Sequence, residues 1–540
     1  MCGIICLLQY GGLGVNLENA MKCLKILSNR GPDNLASQVI KINDQVEIFL
    51  GFTRLAIMDT SNNGMQPFKD DNGNYVVCNG EIYNYKTLAK EYDIILDSNN
   101  DCKVILPFYK IFGFENMISY GLDAEFAMVL LSLENKKLYA ARDKFGVRPL
   151  YFGYHETNKL LGFASELKAL HPLMQHIEQI PPNQIYSLNL EDSSSLVKRE
   201  YYCYDNMISC LELDNVDYIQ QQINNYLTEA VKKRLYSDRP IGFLLSGGLD
   251  SSLIVAIATK LLGPDTITCF SIGVESSPDI AASKKVVKFL GIKHHHIIPF
   301  EIEKGIAMLR QVIETVETYD VTTIRASTPQ FVMAKYIREN TNVRVVLSGE
   351  GSDEIHGSYR YFRDAPDVYN FHWESIRLLE ELYLFDNKRT DRTMAAHGLE
   401  VRVPFLDVEY VEFITRINPN LLRHDRENIE KKILRDSFKE YLPDKVLYRS
   451  KEAFSDSVSS DKLNWVKSIH AFSENIYSDS DLENNEFVIN KPKTKDALLF
   501  RKIFNEIYPG RDNIIPHYWL PKFQKQEIFD PSAKILDCYL

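Results

Sequence analysis

From Arg239 onward the chain follows a rhythm that few folds can satisfy. "RPIGFLLS" is a short apolar run, "SSLIVAIATKLLG" a helix-length segment and "TITCFSIG" again a short run. "DIAASKKVVKFLG", "HHHIIPF", "EKGIAMLRQVIETVE", "STPQFVMAKYIREN" and "VRVVLSGEGSDE" continue as helix, strand, helix, helix and strand. Strands linked through helices lie parallel, and helices on both faces then bury them, so the pattern predicts an α/β domain with a parallel sheet. The remainder to residue 540 reads as mostly helical. In "ENIEKKILRDSFKEYL", for example, Ile429, Ile433, Leu434 and Phe438 share one face.

The most specific string in this half is "FLLSGGLDSS", from Phe243 to Ser252. A strand runs into Ser246-Gly247-Gly248-Leu249-Asp250-Ser251 and a helix follows. Paired glycines let backbone approach an anion, and the N–H groups at a helix start suit phosphate oxygens. Ser246, Ser251 and Ser252 add hydroxyls. Bare phosphate would repel Asp250, whereas a Mg²⁺ shared with phosphates would attract it. No Gly-Lys-Ser/Thr closes the loop, so this is not a Walker motif. The string resembles the SGGxDS loop of the PP-loop ATP pyrophosphatases, which cleave ATP between the α and β phosphates. A second acidic Gly-rich turn, "VVLSGEGSDEIHGSY", follows another strand.

Residues 1–200 read differently. "CGIICLLQY" has strand length, and "LENAMKCLKILSNRGPD" places Leu17, Ala20, Met21, Leu24 and Leu27 at helical spacing before Gly31-Pro32. "EIFLGFTRLAIMD", "NYVVCNGEIYN", "EFAMVLLSLENKKLYAARD" and "PLYFGY" are β-branched and aromatic, broken by Gly, Asn and Asp. They predict a two-sheet α+β core with flanking helices. Around 191–215 the polar "EDSSSLVKRE" and the aperiodic "CYDNMISCLELDN" mark a linker, which divides the chain into domains 1–205 and 215–540.

The first domain opens on "MCGI". If Met1 is removed, Cys2 carries a thiol and a free α-amine on one residue, a nucleophile with its own base. Glutamine hydrolysis needs such a nucleophile, an oxyanion hole, and a clamp for the free amino acid's charged ends. Asn79 and the Gly80 N–H suit the oxyanion, Arg54 the carboxylate, and Glu81 and Asp101 the ammonium.

"MCGI", "RGPD", "NGEIYN", "SGGLDSS", "TYDVTTIRASTP", "SGEGSDE" and "EVRVPFLD" (400–407) together resemble the glutamine-hydrolysing asparagine synthetases of the B type, over nearly the whole chain. The resemblance implies an αββα sandwich of the N-terminal-nucleophile kind fused to a PP-loop domain. It implies a glutamine pocket of Arg30, Arg54, Leu55, Ala56, Ile57, Met58, Asn79, Gly80, Glu81 and Asp101. It implies ATP on Leu244, Ser246, Gly247, Gly248, Asp250, Ser251, Ile272, Ser348 and Gly349, with Mg²⁺ on Asp250 and Asp353. Aspartate would meet Thr322, Thr323 and Arg325, a string that without the resemblance reads as an exposed β-branched loop. Glu350 would stand beside the acyl carbon, and Lys451 of "YRSKEAFSD" would stabilise phosphate charge. The resemblance also implies an apolar passage for ammonia and a homodimer. One departure is visible: the family's Gly-Gly-Tyr is here Gly357-Ser358-Tyr359. If that second glycine serves a positive φ, Ser358 is strained by about 1 kcal/mol.

Composition narrows the partners. Charges of 62 and 73 give a net of −11 without a dense basic tract, which argues against nucleic acid. The start has no basic n-region and no stretch has membrane-spanning length, and 9 scattered cysteines without CxxC pairs suit a reducing cytoplasm. Rival readings are intramolecular cyclisation of the β-lactam synthetase kind, amidation of another carboxylate, and an inert binding homologue. A metal store on His294-His295-His296 is disfavoured, because adjacent strand residues point to opposite faces.

Overall fold

The computed structural model describes residues 1–203, 213–274, 276–425, 427–449, 458–459, 464–524 and 528–530. It divides into two compact units. The first holds Met1–Cys203 with two short returns, Ser237–Arg239 and Met394–Glu400, and the second holds the rest.

The first unit contains twelve strands: β1 (Gly3–Tyr10), β2 (Asn34–Lys41), β3 (Val46–Arg54), β4 (Phe68–Lys69), β5 (Tyr75–Ile82), β6 (Ala124–Ser132), β7 (Lys137–Arg142), β8 (Tyr151–His155), β9 (Leu160–Ala164), β10 (His176–Gln179), β11 (Gln184–Asn189) and β12 (Val197–Glu200). They form two six-stranded sheets, in the orders β10-β8-β9-β1-β3-β2 and β12-β11-β7-β6-β5-β4. Neighbouring strands within both sheets pair antiparallel. Ile4, Cys6 and Leu8 of β1 and Val77 of β5 meet Ala127 and Val129 of β6 in one core between the sheets. Strict alternation along β1 sends these residues inward. The helix Leu17–Ile26 buries Ala20 and Leu24, as its spacing predicts, and Cys23, which its spacing does not predict; Met21 is half-buried and Leu17 exposed.

The expected linker is shorter than its composition suggests. Val197–Glu200 pair with Gln184–Ser187 as an edge strand, with all four side chains exposed. An edge strand is held through its backbone, so a polar sequence can fill it.

The second unit carries a sheet in the order β15-β14-β13-β16-β17, from β13 (Ile241–Leu244), β14 (Thr268–Gly273), β15 (His294–Pro299), β16 (Val345–Leu347) and β17 (Glu400–Arg402). β13 pairs in parallel with both β14 and β16, and β14 with β15. The helices Leu249–Leu262 and Pro278–Leu290 are two of the crossovers. The strand ends at Leu244 and Leu347 therefore lie side by side, and both Gly-rich turns leave from there.

One local expectation fails. Thr322–Arg325 is not an exposed loop but the first turn of a buried helix, Val321–Asn340. Asp320 caps it by accepting the Thr323 N–H at 2.8 Å, and burial of Ile324, Phe331 and Ala334 outweighs the poor helix propensity of the β-branched residues and Pro329.

Candidate active sites

Cys2 stands just ahead of β1, with its carbonyl held by the Arg30 Nε–H at 2.8 Å. Arg30 is itself buried and paired with Glu166 at 2.8 Å, so its fork positions the Cys2 backbone. The thiol lies 3.7 Å from the Leu55 carbonyl, and desolvation pushes its pKa up to about 11. Met1 is buried. Its ammonium lies 3.4 Å from the Leu399 carbonyl and 4.0 Å from Glu400, and burial draws its pKa down to about 6.

Leu55–Met58 is a buried turn held on several sides. Asp33 of the RGPD string accepts the Ala56 N–H at 2.8 Å, Arg239 donates to the Ala56 carbonyl at 2.9 Å, and Asn100 donates to the Met58 carbonyl at 3.2 Å. The Arg54 guanidinium is buried and donates to the carbonyls of Ser61, Met58 and Asp59. Asp101 follows Asn100 and accepts the Ile82 N–H of β5 at 2.7 Å. Glu81 is buried on the same strand. The contacts thus run unbroken from Cys2 through Leu55, Met58 and Asn100 to β5. On β5 the Asn79 side-chain NH₂ is buried and has no hydrogen-bond partner among the described residues. A buried amide donor without an acceptor is costly unless a ligand oxygen completes it.

The second site lies where the two Gly-rich turns meet. Gly247 has φ +81°, and an added Cβ would come within 2.7 Å of that of Ala282. The Ser246 and Ser251 hydroxyls lie 3.0 Å apart, and the Ser246 oxygen accepts the Gly248 N–H at 3.2 Å. Asp250 occupies the first turn of the following helix, where its charge suits the dipole. A Cβ on Gly349 would sit 2.8 Å from the Ser251 nitrogen, so only glycine lets the second turn close on the first. Ser348 is buried and donates its N–H to the Arg402 carbonyl at 3.0 Å. Leu244 and Ile272 are buried at the ends of β13 and β14.

Asp250 and Asp353 converge on one cation. The Lys431 ammonium lies 2.7 Å from both Asp250 oxygens and 2.6 Å from Asp353 Oδ1. Ser352 donates to Asp250 at 2.8 Å. Ser358 donates to Asp353 at 2.5 Å, and it is absent from the positive-φ positions. The strain expected there does not arise: Gly357 takes the positive φ of 55°, and the hydroxyl of Ser358 instead supports a carboxylate.

Glu350 pairs with the buried Arg389 guanidinium at 2.6 Å, and Arg389 also meets Asp386 at 2.8 Å. Arg325 is engaged by Asp496 at 2.5 Å, Asp530 at 2.7 Å and His470 at 2.9 Å. Thr323 serves the helix cap, whereas the Thr322 hydroxyl has no partner among the described residues. Lys451 lies outside the described residues. Sequence reading missed Glu166, Asp33, Asn100, Arg389 and Lys431. Asp33 and Lys431 stood inside quoted strings without being singled out, and the others carry no local signal.

The fold and these sites define a two-part amidotransferase. A family model described as glutamine amidotransferase domain matches residues 1–219, and one described as asparagine synthase matches 222–370 and 366–519. The chain belongs to the asparagine synthase family. Over 99% of its length it is 60% identical to a probable asparagine synthetase [glutamine-hydrolyzing] of Acanthamoeba polyphaga mimivirus, covering 100% of that protein. It is 39% identical to the asparagine synthetase [glutamine-hydrolyzing] of Rattus norvegicus and 40% to that of Gallus gallus, across 100% of this chain and 99% of each.

Proposed function

We propose that the chain makes L-asparagine from L-aspartate, drawing nitrogen from L-glutamine and energy from cleavage of ATP to AMP and diphosphate. Once Met1 is removed, the Cys2 sulfur attacks the glutamine amide carbon, with its own α-amine taking the thiol proton. Asn79 Nδ2 and the Gly80 N–H hold the oxyanion. Collapse expels ammonia and leaves a thioester, which water cleaves to glutamate. Arg54 faces the glutamine carboxylate, and Glu81 and Asp101 its ammonium.

In the second unit the aspartate β-carboxylate attacks the α-phosphorus of ATP and diphosphate leaves. Ammonia then attacks the acyl carbon of β-aspartyl-AMP, Glu350 takes a proton, and AMP departs. Two carboxylates converging on one point form a hard-oxygen donor set that suits Mg²⁺, and Asp250 and Asp353 would hold it. When bound, it offsets the phosphate charge. An aspartate carboxylate reaching Arg325 must take the place of Asp496 or Asp530. Thr322 supplies a hydroxyl at the same helix start, and Lys451 a further cation. A cytoplasmic homodimer belongs to the same reading. Among the described residues no helix is long and apolar enough to cross a membrane.

The observation that carries this reading is the meeting of the Ser246–Ser252 and Ser348–Glu354 turns, with their two aspartates on one cation. The purified chain, given glutamine, aspartate and Mg-ATP, should release asparagine, glutamate, AMP and diphosphate in equal amounts. Mass spectrometry of its N-terminus should find Cys2 first. ADP with inorganic phosphate, or a retained Met1 in the active protein, would overturn the reading.

A further inference from the structure

The mechanism above gives Lys431 no part, yet it is buried and closely engaged by carboxylates of both turns in the second site. It is 3% exposed and touches three carboxylate oxygens at 2.6–2.7 Å. Its neighbour Lys432 points to solvent and pairs with Asp436. The helix begins only at Lys432, and Lys431 takes φ +56°, an uncommon conformation for a residue with a Cβ. That turn of the backbone sends Lys431 inward.

The flanks hold it there. Glu430 is bound to Arg435 at 2.7 Å, and Arg435 Nε–H donates to the Glu430 carbonyl at 2.7 Å. The two aspartates are set by Ser352 and Ser358. Two carboxylates facing each other in a part-buried site repel strongly unless a cation lies between them. Here that cation belongs to the chain.

An ammonium on three of these oxygens competes with a divalent ion for their lone pairs, and two cations crowded onto the same carboxylates repel each other. We propose that Lys431 is a resident counter-cation that occupies the metal's oxygens in the nucleotide-free enzyme and yields them when nucleotide arrives. The site therefore takes up a divalent ion only together with the nucleotide. This rests on Asp250 and Asp353 being the metal's ligands. The triphosphate then supplies the negative charge to which the displaced ammonium can turn.

The test is a titration of the full chain with Mn²⁺ alone, followed by the electron paramagnetic resonance of free Mn²⁺. Wild type and Lys431→Arg should show no Mn²⁺ site without nucleotide. Lys431→Met and Lys431→Gln should gain one, at least about tenfold tighter than any residual binding by wild type, and it should disappear in Lys431→Met/Asp250→Asn. The two neutral variants should also melt at lower temperature than wild type and recover with Mn²⁺. A Mn²⁺ site of equal affinity in wild type and Lys431→Met would overturn the proposal, and the wild-type titration can do so alone if it reveals a tight site. Failure of the underlying reading looks different. Mn²⁺ binding with α,β-methylene-ATP would then be the same in wild type and Asp250→Asn.

Discussion

The two sites neutralise their polar groups in different ways. Around Cys2 the work is done by backbone. Arg54 donates to three carbonyls, Arg30 to another, and Asp33 and Asp101 accept main-chain N–H groups. Among the described residues the Asn79 NH₂ is left without an acceptor. Around Asp250 the work is done by charges on one another: Lys431 with two aspartates, Arg389 with Glu350 and Asp386, Arg325 with Asp496 and Asp530. A pocket of fixed dipoles can receive a neutral amide and stabilise a transient oxyanion with little rearrangement. A site of paired ions must exchange partners when a polyanion and its metal enter. On the proposed reading the first site is thus set before substrate arrives, and the second is set by it.

The largest expected effect separates the two. Cys2→Ala should lower glutamine-dependent asparagine formation by ~10³-fold or more while synthesis from added ammonium continues. Loss of both would mean that the division of labour is wrong. Asp250→Asn is the mirror experiment: diphosphate release should fall ~10²–10³-fold while glutamine hydrolysis persists. A smaller break tests the unfilled donor. Asn79→Ala should cost ~10²-fold in the kcat of glutamine hydrolysis and leave the ammonium-driven rate alone, which steady-state assays with each nitrogen source would show. The smallest effect sharpens the ion-pair side. Ser358→Ala removes the hydroxyl on Asp353 and should destabilise the chain by about 1–2 kcal/mol in denaturant unfolding. A variant as stable as wild type would show that Asp353 does not need that bond.

Much of this was legible in the chain because short strings carry their own geometry. The Gly247 turn, the strand–helix alternation and the apolar run of β1 each depend on residues a few positions apart. The Gly-rich turns meet because parallel pairing places β13 beside β16. What stayed hidden depends on distant partners. Two aspartates imply a cation, but "EKK" does not say which lysine turns inward, and only the φ of +56° at Lys431 decides it. Arg325 reads as a free fork until Asp496, 171 positions on, is folded against it. Thr322–Arg325 looks like a loop by propensity and is the first turn of a helix by burial. Val197–Glu200 looks like a linker by polarity and is a strand by backbone pairing.

The most direct measurement labels both sites at once. Aspartate with ¹⁸O in its β-carboxylate and glutamine with ¹⁵N in its amide are supplied with Mg-ATP, and the products are weighed. AMP should carry one ¹⁸O and asparagine the ¹⁵N. Oxygen label in inorganic phosphate, or unlabelled asparagine in the absence of added ammonium, would contradict the coupling of a Cys2 glutaminase to an adenylating second site.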